Sequence, residues 1–278
     1  MKFVQYFEIK EFKSKVMPFL EKNEDKNNLA IGILKKLVIN KNNYSDSDPF
    51  TAIIDDKGIV LLVLLMTPPY NLQLIGEKIA IETAVEGLLK ANISIPGIIG
   101  RKELCRIFEK IWTEQTDCKS ETAMDQRIYR LDKVESVLST EGHFKIADEN
   151  DAELLTEWMI AFNDYINEDV DKERARKSIQ NLISKQRAYI WVDNEPVSMC
   201  LGLRETFNGI TVSGVYTPEK FRRKGYATSC VAQASKILLD EGYKYCTLYT
   251  DLSNPTSNSI YQKIGYKPIA DSVMIKFN

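Results

Sequence analysis

Apolar residues follow two alternating spacings along the chain, and these spacings predict the same order of elements twice. Apolar and β-branched runs with a period of two indicate strands, and apolar residues three and four apart indicate helices. The first half predicts strand 3–7, helices 8–22 and 29–39, strands 50–54, 59–66 and 70–75, helix 77–90, strand 93–99, helix 101–114 and strand 123–134. The second half predicts strand 143–147, helices 150–163 and 172–185, strands 188–192, 197–203 and 209–216, a helix ending at Asp240, strand 243–249, and a helix of about three turns from Pro255. The repeated order predicts a tandem duplication of one α/β fold, with domains 1–138 and 139–278 and a short linker at 135–142.

The most informative polar stretch lies between strand 209–216 and the helix that follows it. Three consecutive cations, Arg222 to Lys224, precede Gly225 there, and the next helix has its apolar residues on one face. Backbone N–H groups at a helix start lack intrahelical partners, and the helix dipole adds positive potential to them. The stretch therefore predicts a site for one small polyanion. From these residues alone, a solvated basic loop remains the alternative.

The first half has no such stretch. The segment Pro68-Pro69 is expected at the corresponding place, and it carries neither the spacing Arg-x-x-Gly-x-Ala nor a cluster of cations. We expect the first domain to be a degenerate copy without an anion site. Its expected role is that of a scaffold, with a dimer surface or one wall of a substrate cleft as alternatives.

The last helix combines good capping residues with a polar face. Asn254 suits the N-cap, Pro255 the first helical position and Gly265 the left-handed end. Ile260 and Ile264 are expected to pack on the sheet, since residues four apart share a helix face. Ser257 and Tyr261 share another face, which predicts that they address a ligand. The alternative for Tyr261 is amphipathic packing at the rim of the core.

Composition narrows the classes of function. The chain has 278 residues, a formal net charge of −2 and a pI near 5.7, which gives no support to a nucleic-acid-binding protein. Its N-terminus is interrupted by charge too early for a signal peptide, and its longest apolar run, 59–66, is too short to cross a bilayer. The five cysteines form no C-x-x-C pair, so we expect reduced core cysteines in a cytoplasmic protein without a membrane partner.

A single histidine, His143, restricts the chemistry further. It excludes a metal site built on two histidines and disfavours a Ser–His or Cys–His nucleophile, and no metal is expected. The phosphate-binding patterns Gly-x-Gly-x-x-Gly and Gly-x-x-x-x-Gly-Lys-Ser/Thr are both absent. A nucleotide-binding Rossmann or P-loop protein is therefore disfavoured.

Residues 143–278 resemble the GNAT superfamily of N-acetyltransferases. The resemblance is carried by the run 215–218, by the spacing Arg-x-x-Gly-x-Ala at Arg222, Gly225 and Ala227, and by the Asn254 to Tyr261 helix ending in Gly-Tyr. It implies an α/β (α+β) fold with tandem GNAT-like domains, each a mixed, mostly antiparallel twisted sheet flanked by helices. The first half would be the degenerate copy.

The resemblance also implies acetyl-CoA as the acyl donor. Its pyrophosphate would bind the backbone N–H groups of the basic loop, and its pantetheine arm would lie along the preceding strand and hydrogen-bond like an added strand. Asn254 matches a cofactor-contacting asparagine of the family, and Ser257 is placed with it. The implied cofactor-binding residues are Val215, Tyr216, Thr217, Arg222, Arg223, Lys224, Gly225, Tyr226, Ala227, Thr228, Asn254 and Ser257.

The implied reaction is direct attack of a primary amine on the thioester. Backbone N–H groups near Val215 or Tyr216 would polarise the carbonyl, and Tyr261, at the matching family position, would be the general acid. Glu205 is a weak candidate for the base, and a water chain is an equal one. The acceptor would be a small molecule or peptide, and the protein a monomer or homodimer. The alternatives are a non-catalytic acyl-CoA-binding or sensing protein and a tandem-GNAT aminoacyl- or thiol-conjugating transferase.

Overall fold

The computed structural model describes residues 1–39, 47–135, 140–166 and 170–278. These residues form two compact units, and the units do not follow chain order. One comprises Met1–Ile128, Thr250–Ser253 and Ile269–Asn278, and the other comprises Tyr129–Tyr249 and Asn254–Pro268. Residues 136–139 of the predicted linker lie outside the described residues. The predicted boundary between domains after residue 138 stays a prediction.

The first half contains the predicted elements in the predicted order. They are β1 (Lys2–Tyr6), α1 (Ile9–Leu20), α2 (Glu24–Ile39), β2 (Phe50–Asp56), β3 (Ile59–Met66), β4 (Leu72–Gly76), α3 (Ile81–Lys90), β5 (Gly97–Arg101), α4 (Lys102–Thr116) and β6 (Ser120–Leu131).

The second half repeats this order. Its elements are β7 (His143–Ile146), α5 (Ala152–Tyr165), α6 (Lys172–Ser184), β8 (Ala188–Asp193), β9 (Glu195–Leu203), β10 (Gly209–Tyr216), α7 (Tyr226–Asp240), β11 (Tyr245–Asp251), α8 (Pro255–Ile264) and β12 (Lys267–Phe277). None of the helices in the described part of the chain is long and apolar enough to span a membrane.

The sheet of the first unit takes its sixth strand from the end of the chain. Its strand order is β1-β2-β3-β4-β5-β12-β6. The pair β4–β5 is parallel, whereas β12 runs antiparallel to β5, with Ser272 opposite Arg101 and Lys276 opposite Gly97. Val273 and Ile275 of β12 are fully buried in this unit's core. The last strand therefore completes the fold of residues that lie far before it in sequence.

The buried run 59–66 is a strand with helices on both of its faces, as its uninterrupted apolar character predicts. Leu62 and Leu64 of β3 pack in one apolar cluster with α3 and α4, and Val63 and Leu65 pack in another with α1 and α2. The alternation follows from the period of two along a strand. The first unit is thus a three-layer arrangement of helix, sheet and helix.

Two expectations for the first half are wrong. The polar run 21–28 does not separate the first two helices, because α2 begins at Glu24 after one 3₁₀ turn and buries Glu24 and Asn28. The Pro68-Pro69 segment lies in the turn between β3 and β4. By element order, the counterpart of the basic loop is the segment 77–80 that follows β4.

The second unit is likewise a largely antiparallel sheet between two helical layers. Its strand order is β11-β10-β9-β8-β7, and β10 and β11 are its parallel pair. Helices α7 and α8 pack on one face, and α5 and α6 pack on the other. Asp148 accepts from the N–H of Asn150 at 2.8 Å and begins the 3₁₀ turn that leads into α5, whose N-cap residue is Asp151.

Candidate active site

The parallel pair β10–β11 is joined over only part of its length. Gly209 to Thr211 pair with Tyr245 to Thr247, yet both strands continue beyond this register. The last pair is fastened by a 3.0 Å hydrogen bond between the hydroxyls of Thr211 and Thr247. From residue 212 onward, the edge of β10 that faces β11 has no strand partner in that register among the described residues. Its backbone N–H and C=O groups are therefore available to an extended ligand.

A β-bulge lies in β10 where the predicted thioester contacts begin. The pairing with β9 shifts between Ser213 and Tyr216, and Gly214 adopts a φ of +58°. A Cβ on Gly214 would lie 2.7 Å from the Cδ1 atom of Leu201, so the bulge leaves no room for a side chain. The Ser198 hydroxyl donates to the Tyr216 carbonyl at 3.2 Å and lies 2.9 Å from the Thr217 hydroxyl. Bulges re-aim a strand, and this one fixes the direction of residues 215–217.

The basic loop ends in a helix start whose N–H groups point away from the helix. Arg223 and Gly225 both have left-handed backbone, with φ of +65° and +87°. Gly225 is the N-cap of α7 and provides no side-chain hydrogen bond, so the N-cap position leaves the first N–H groups of the helix without a side-chain cap. The N–H of Arg222 is different, because it donates to the Glu219 carbonyl at 3.2 Å. The N–H groups of residues 223–228 remain as the donors of the predicted anion site, and this set of N–H groups is called the cradle below.

The cationic side chains of this loop are exposed, and they differ in the contacts they make. The Nε atom of Arg222 donates to the Thr217 carbonyl at 3.0 Å, which ties the loop to the end of β10. Arg223 and Lys224 form no ion pair with any residue that the structure describes, and both are exposed. Two unpaired cations beside a helix start form a strongly positive surface, which favours the anion site over a merely solvated loop.

Residues 146–266 match the family model described as Acetyltransferase (GNAT) family. They form a GNAT domain. The predicted resemblance is thereby confirmed. A comparison with curated proteins gives no significant match.

Solved GNAT structures resemble the chain along its length at low sequence identity. An acetyltransferase of the GNAT family from Colwellia psychrerythraea has a TM-score of 0.63 at 9% identity, with 100% of this chain and 99% of that chain covered. A GCN5-related N-acetyltransferase from Sphaerobacter thermophilus has a TM-score of 0.62 at 15% identity, with 88% and 85% covered. A tandem GNAT protein from the clavulanic acid biosynthesis pathway has a TM-score of 0.57 at 9% identity, with 100% and 98% covered. The predicted tandem GNAT fold is confirmed, and the family supports acyl transfer from an acyl-CoA.

The GNAT domain holds its helix start in place with contacts that the sequence did not reveal. The Tyr226 hydroxyl donates to Asp193 Oδ2 at 2.5 Å, and this bond raises the pKa of the phenol. The Thr140 hydroxyl donates to the Lys224 carbonyl at 3.0 Å. Asp193 is the last residue of β8, more than thirty residues before its partner. No local pattern could have predicted a contact across that separation.

Tyr261 is not on a polar face of α8, as its spacing with Ser257 suggested. It is buried, and its ring meets the ring of Tyr266 edge-on with centroids 6.1 Å apart. It belongs to the same apolar cluster as Val215 and Cys200. Burial raises its pKa above the ordinary tyrosine value, with a smaller contribution from Cys200. The phenol therefore stays protonated over the physiological range and is competent to donate a proton.

Asn254 and Ser257 lie at the start of α8, directly after β11. The Asn254 side chain accepts from the Ser257 N–H at 3.0 Å, which confirms the predicted N-cap, and its Nδ2 donates to the Tyr165 hydroxyl at 3.3 Å. Since β10 and β11 are parallel, their carboxyl ends lie at the same edge of the sheet. The basic loop and the start of α8 thus follow neighbouring strand ends. Direct contact of Asn254 and Ser257 with a cofactor stays a prediction.

Glu205 lies at the wrong end of β10 to serve as the base. It follows β9, before β10 begins, and its carboxylate is 3.4 Å from the Nε atom of Arg187. Val215 lies six residue steps along the strand from Gly209, which corresponds to about 20 Å. Glu205 is therefore removed from the candidate catalytic residues.

Proposed function

We propose that the GNAT domain transfers an acetyl group from acetyl-CoA to a primary amine. The proposal depends on one arrangement above all: the unpaired edge of β10 runs into the uncapped start of α7, and the Tyr261 phenol is buried in the same cluster as Val215. An extended thioester matches the edge of β10, and a pyrophosphate at its other end matches the start of α7. A primary amine in a small molecule or peptide would be the acceptor.

The residues present fit acetyl-CoA. The N–H groups of residues 223–228, with the charges of Arg223 and Lys224, suit the pyrophosphate. The edge of β10 from residue 212 suits the amide groups of the pantetheine arm, which hydrogen-bond as a strand would. When bound, acetyl-CoA supplies an activated acyl group with a thiolate as leaving group.

The chain contributes polarisation and a proton. Backbone N–H groups at the bulge, near Val215 and Tyr216, donate to the carbonyl oxygen, where negative charge grows as the amine adds. Tyr261 donates its phenolic proton to the sulfur as the C–S bond breaks and the C–N bond forms. The amine loses its proton to solvent, and solvent returns a proton to the phenolate of Tyr261. Direct transfer of this kind requires no covalent enzyme intermediate.

We infer one cofactor site per chain. In the first half, the segment after β4 contains no counterpart of the cation cluster, and Glu77 and Glu82 flank the helix start. The Arg101 guanidinium donates to the Gly76 carbonyl at the end of β4. A calorimetric titration of the intact protein with acetyl-CoA measures this stoichiometry directly, and two equivalent sites would contradict it.

Release of free thiol from acetyl-CoA tests the function. The assay uses a panel of polyamines, amino acids, aminoglycosides and peptides, with mass spectrometry of the products. We expect turnover with at least one primary amine and a product heavier by one acetyl group. Saturable binding of acetyl-CoA without transfer to any acceptor would instead support an acyl-CoA sensor. Acyl transfer from an aminoacyl donor, or to a thiol, would support a conjugating transferase.

The five cysteines are all free thiols in the structure, and four of them are buried. Burial raises the pKa of Cys246 to about 12 and of Cys105 to about 12, so these thiols are held in the unreactive protonated form. This favours core packing in a reducing compartment, and we propose that the protein acts in the cytoplasm as a monomer or homodimer.

A further inference from the structure

A polar cavity lies in the first unit, outside the GNAT domain that residues 146–266 define. Its volume is about 500 Å³, and its charged lining consists of Lys26, Arg101, Lys102, Glu103 and Asp271. Lys26 lies near the start of α2, Arg101 to Glu103 join β5 to α4, and Asp271 belongs to β12. A cavity of this size is within the range of small-molecule sites.

The charges around the cavity do not cancel. Asp271 is held by two hydrogen bonds from Arg127, at 2.7 and 3.0 Å, and these lower the pKa of its carboxyl group. Glu103 pairs with Lys78 at 3.2 Å, and Lys102 pairs with Asp125 at 2.5 Å.

Lys26 and Arg101 are left without a carboxylate partner among the residues that the structure describes. Both carboxylates of the lining therefore have their own cations, and two positive charges face the cavity unneutralised.

The donors of the cavity are held in position. Arg101 directs part of its guanidinium to the Gly76 carbonyl, which fixes the side chain and leaves other N–H groups of the same fork. It is also the N-cap of α4, a helix of 15 residues that has no side-chain cap hydrogen bond. Lys26 is half-buried. Ile269 and Ala270 provide an apolar wall.

We propose that this cavity binds a small organic dianion. The guanidinium fork of Arg101 matches the two oxygens of a carboxylate or phosphate, and Lys26 supplies the second positive charge. The apolar wall favours a ligand with a short carbon chain between or beside its anionic groups. This site is separate from that of the proposed acetyl transfer, since none of the cavity residues belongs to residues 146–266.

Calorimetric titration of the full-length protein tests the proposal, with succinate and inorganic phosphate as separate probes. We expect one site per chain for the preferred probe, and binding weakened about tenfold or more by Lys26→Met. Arg101→Gln should weaken it similarly, with thermal unfolding measured to show that this variant folds. Tighter succinate binding identifies a dicarboxylate ligand, and tighter phosphate binding a phosphorylated one.

Two control variants separate this cavity from other cationic surfaces. Lys22→Met removes an exposed charge from the same unit, and Lys224→Met removes one from the basic loop of the GNAT domain; neither should change the affinity. If neither probe binds, or if Lys26→Met binds as wild type does, the proposal is wrong. An effect of Lys224→Met in place of Lys26→Met would place the anion at the basic loop and would equally overturn it.

Discussion

The phenol of Tyr226 donates to the carboxylate of Asp193 across 2.5 Å, and this bond joins the first residue of α7 to the end of β8, beside the turn between β8 and β9. The turn is braced a second time, because Lys220 in the loop pairs with Glu195 at 3.1 Å. A helix start binds an anion well only when its N–H groups keep one direction, since their dipoles must converge on the ligand. Tyr226 is therefore a positioning residue for the cradle.

Removing the Tyr226 hydroxyl should weaken acetyl-CoA binding through this positioning. We expect Tyr226→Phe to raise the Kd for acetyl-CoA about fivefold, with kcat little changed. Acetylpantetheine lacks the pyrophosphate, so its kcat/KM should not respond to the substitution. Tyr70→Phe, at an exposed tyrosine of the first unit, is the matched control. An equal loss with both donors would show that the hydroxyl serves only general stability.

Gly225 is required by its backbone conformation. Its φ is +87°, whereas a Cβ there would meet only Thr140, at 3.7 Å. We expect Gly225→Val to abolish acetyl-CoA binding in calorimetry, because a β-branched residue cannot hold the left-handed N-cap that aims the N–H groups.

Gly242 offers a matched control, since its φ is +107° and nothing lies within 4 Å of a Cβ there. Gly242→Val should lower the free energy of unfolding by about 1–2 kcal/mol, as Gly225→Val does, and still bind acetyl-CoA normally. Unchanged affinity in Gly225→Val would remove the cradle from the cofactor site.

Substitutions of Tyr261 and Tyr266 should have different effects, because only Tyr261 is proposed as the general acid. Tyr261→Phe should lower kcat about 10²-fold with little change in the Kd for acetyl-CoA. Tyr266 is buried too, but its hydroxyl lies 2.9 Å from that of Ser235. Tyr266→Phe should cost about 1 kcal/mol of stability and leave kcat nearly unchanged. Wild-type turnover in Tyr261→Phe would exclude the acid role.

The pH dependence follows from the burial of the same phenol. Desolvation raises the pKa of Tyr261, and a group with a raised pKa keeps its proton to higher pH. We therefore expect that deprotonation of Tyr261 does not lower kcat up to about pH 10, the ordinary tyrosine pKa. The test is a kcat profile for wild type and Tyr261→Phe. A fall in wild-type kcat below that pH, absent from the variant, would contradict the raised pKa of Tyr261.

Local patterns predicted those features that depend on neighbours in sequence. The Asn254 cap and the left-handed Gly265 end of α8 were predicted from residue type, because capping uses groups within four residues. The buried strand β3 followed from its uninterrupted apolar run. The run 21–28 was misjudged, since its polarity hid a helix start that buries Glu24 through packing.

The sequence by itself determined the order of the elements, the basic helix start and the resemblance to GNAT proteins, because each is written in contiguous residues. Only the tertiary structure decided that Tyr261 is buried and that β12 completes the first unit. It also brought Asp193 to Tyr226 and Lys26 to Arg101. These relationships join residues far apart in the chain, and they depend on strand register and helix packing, which local spacing does not encode.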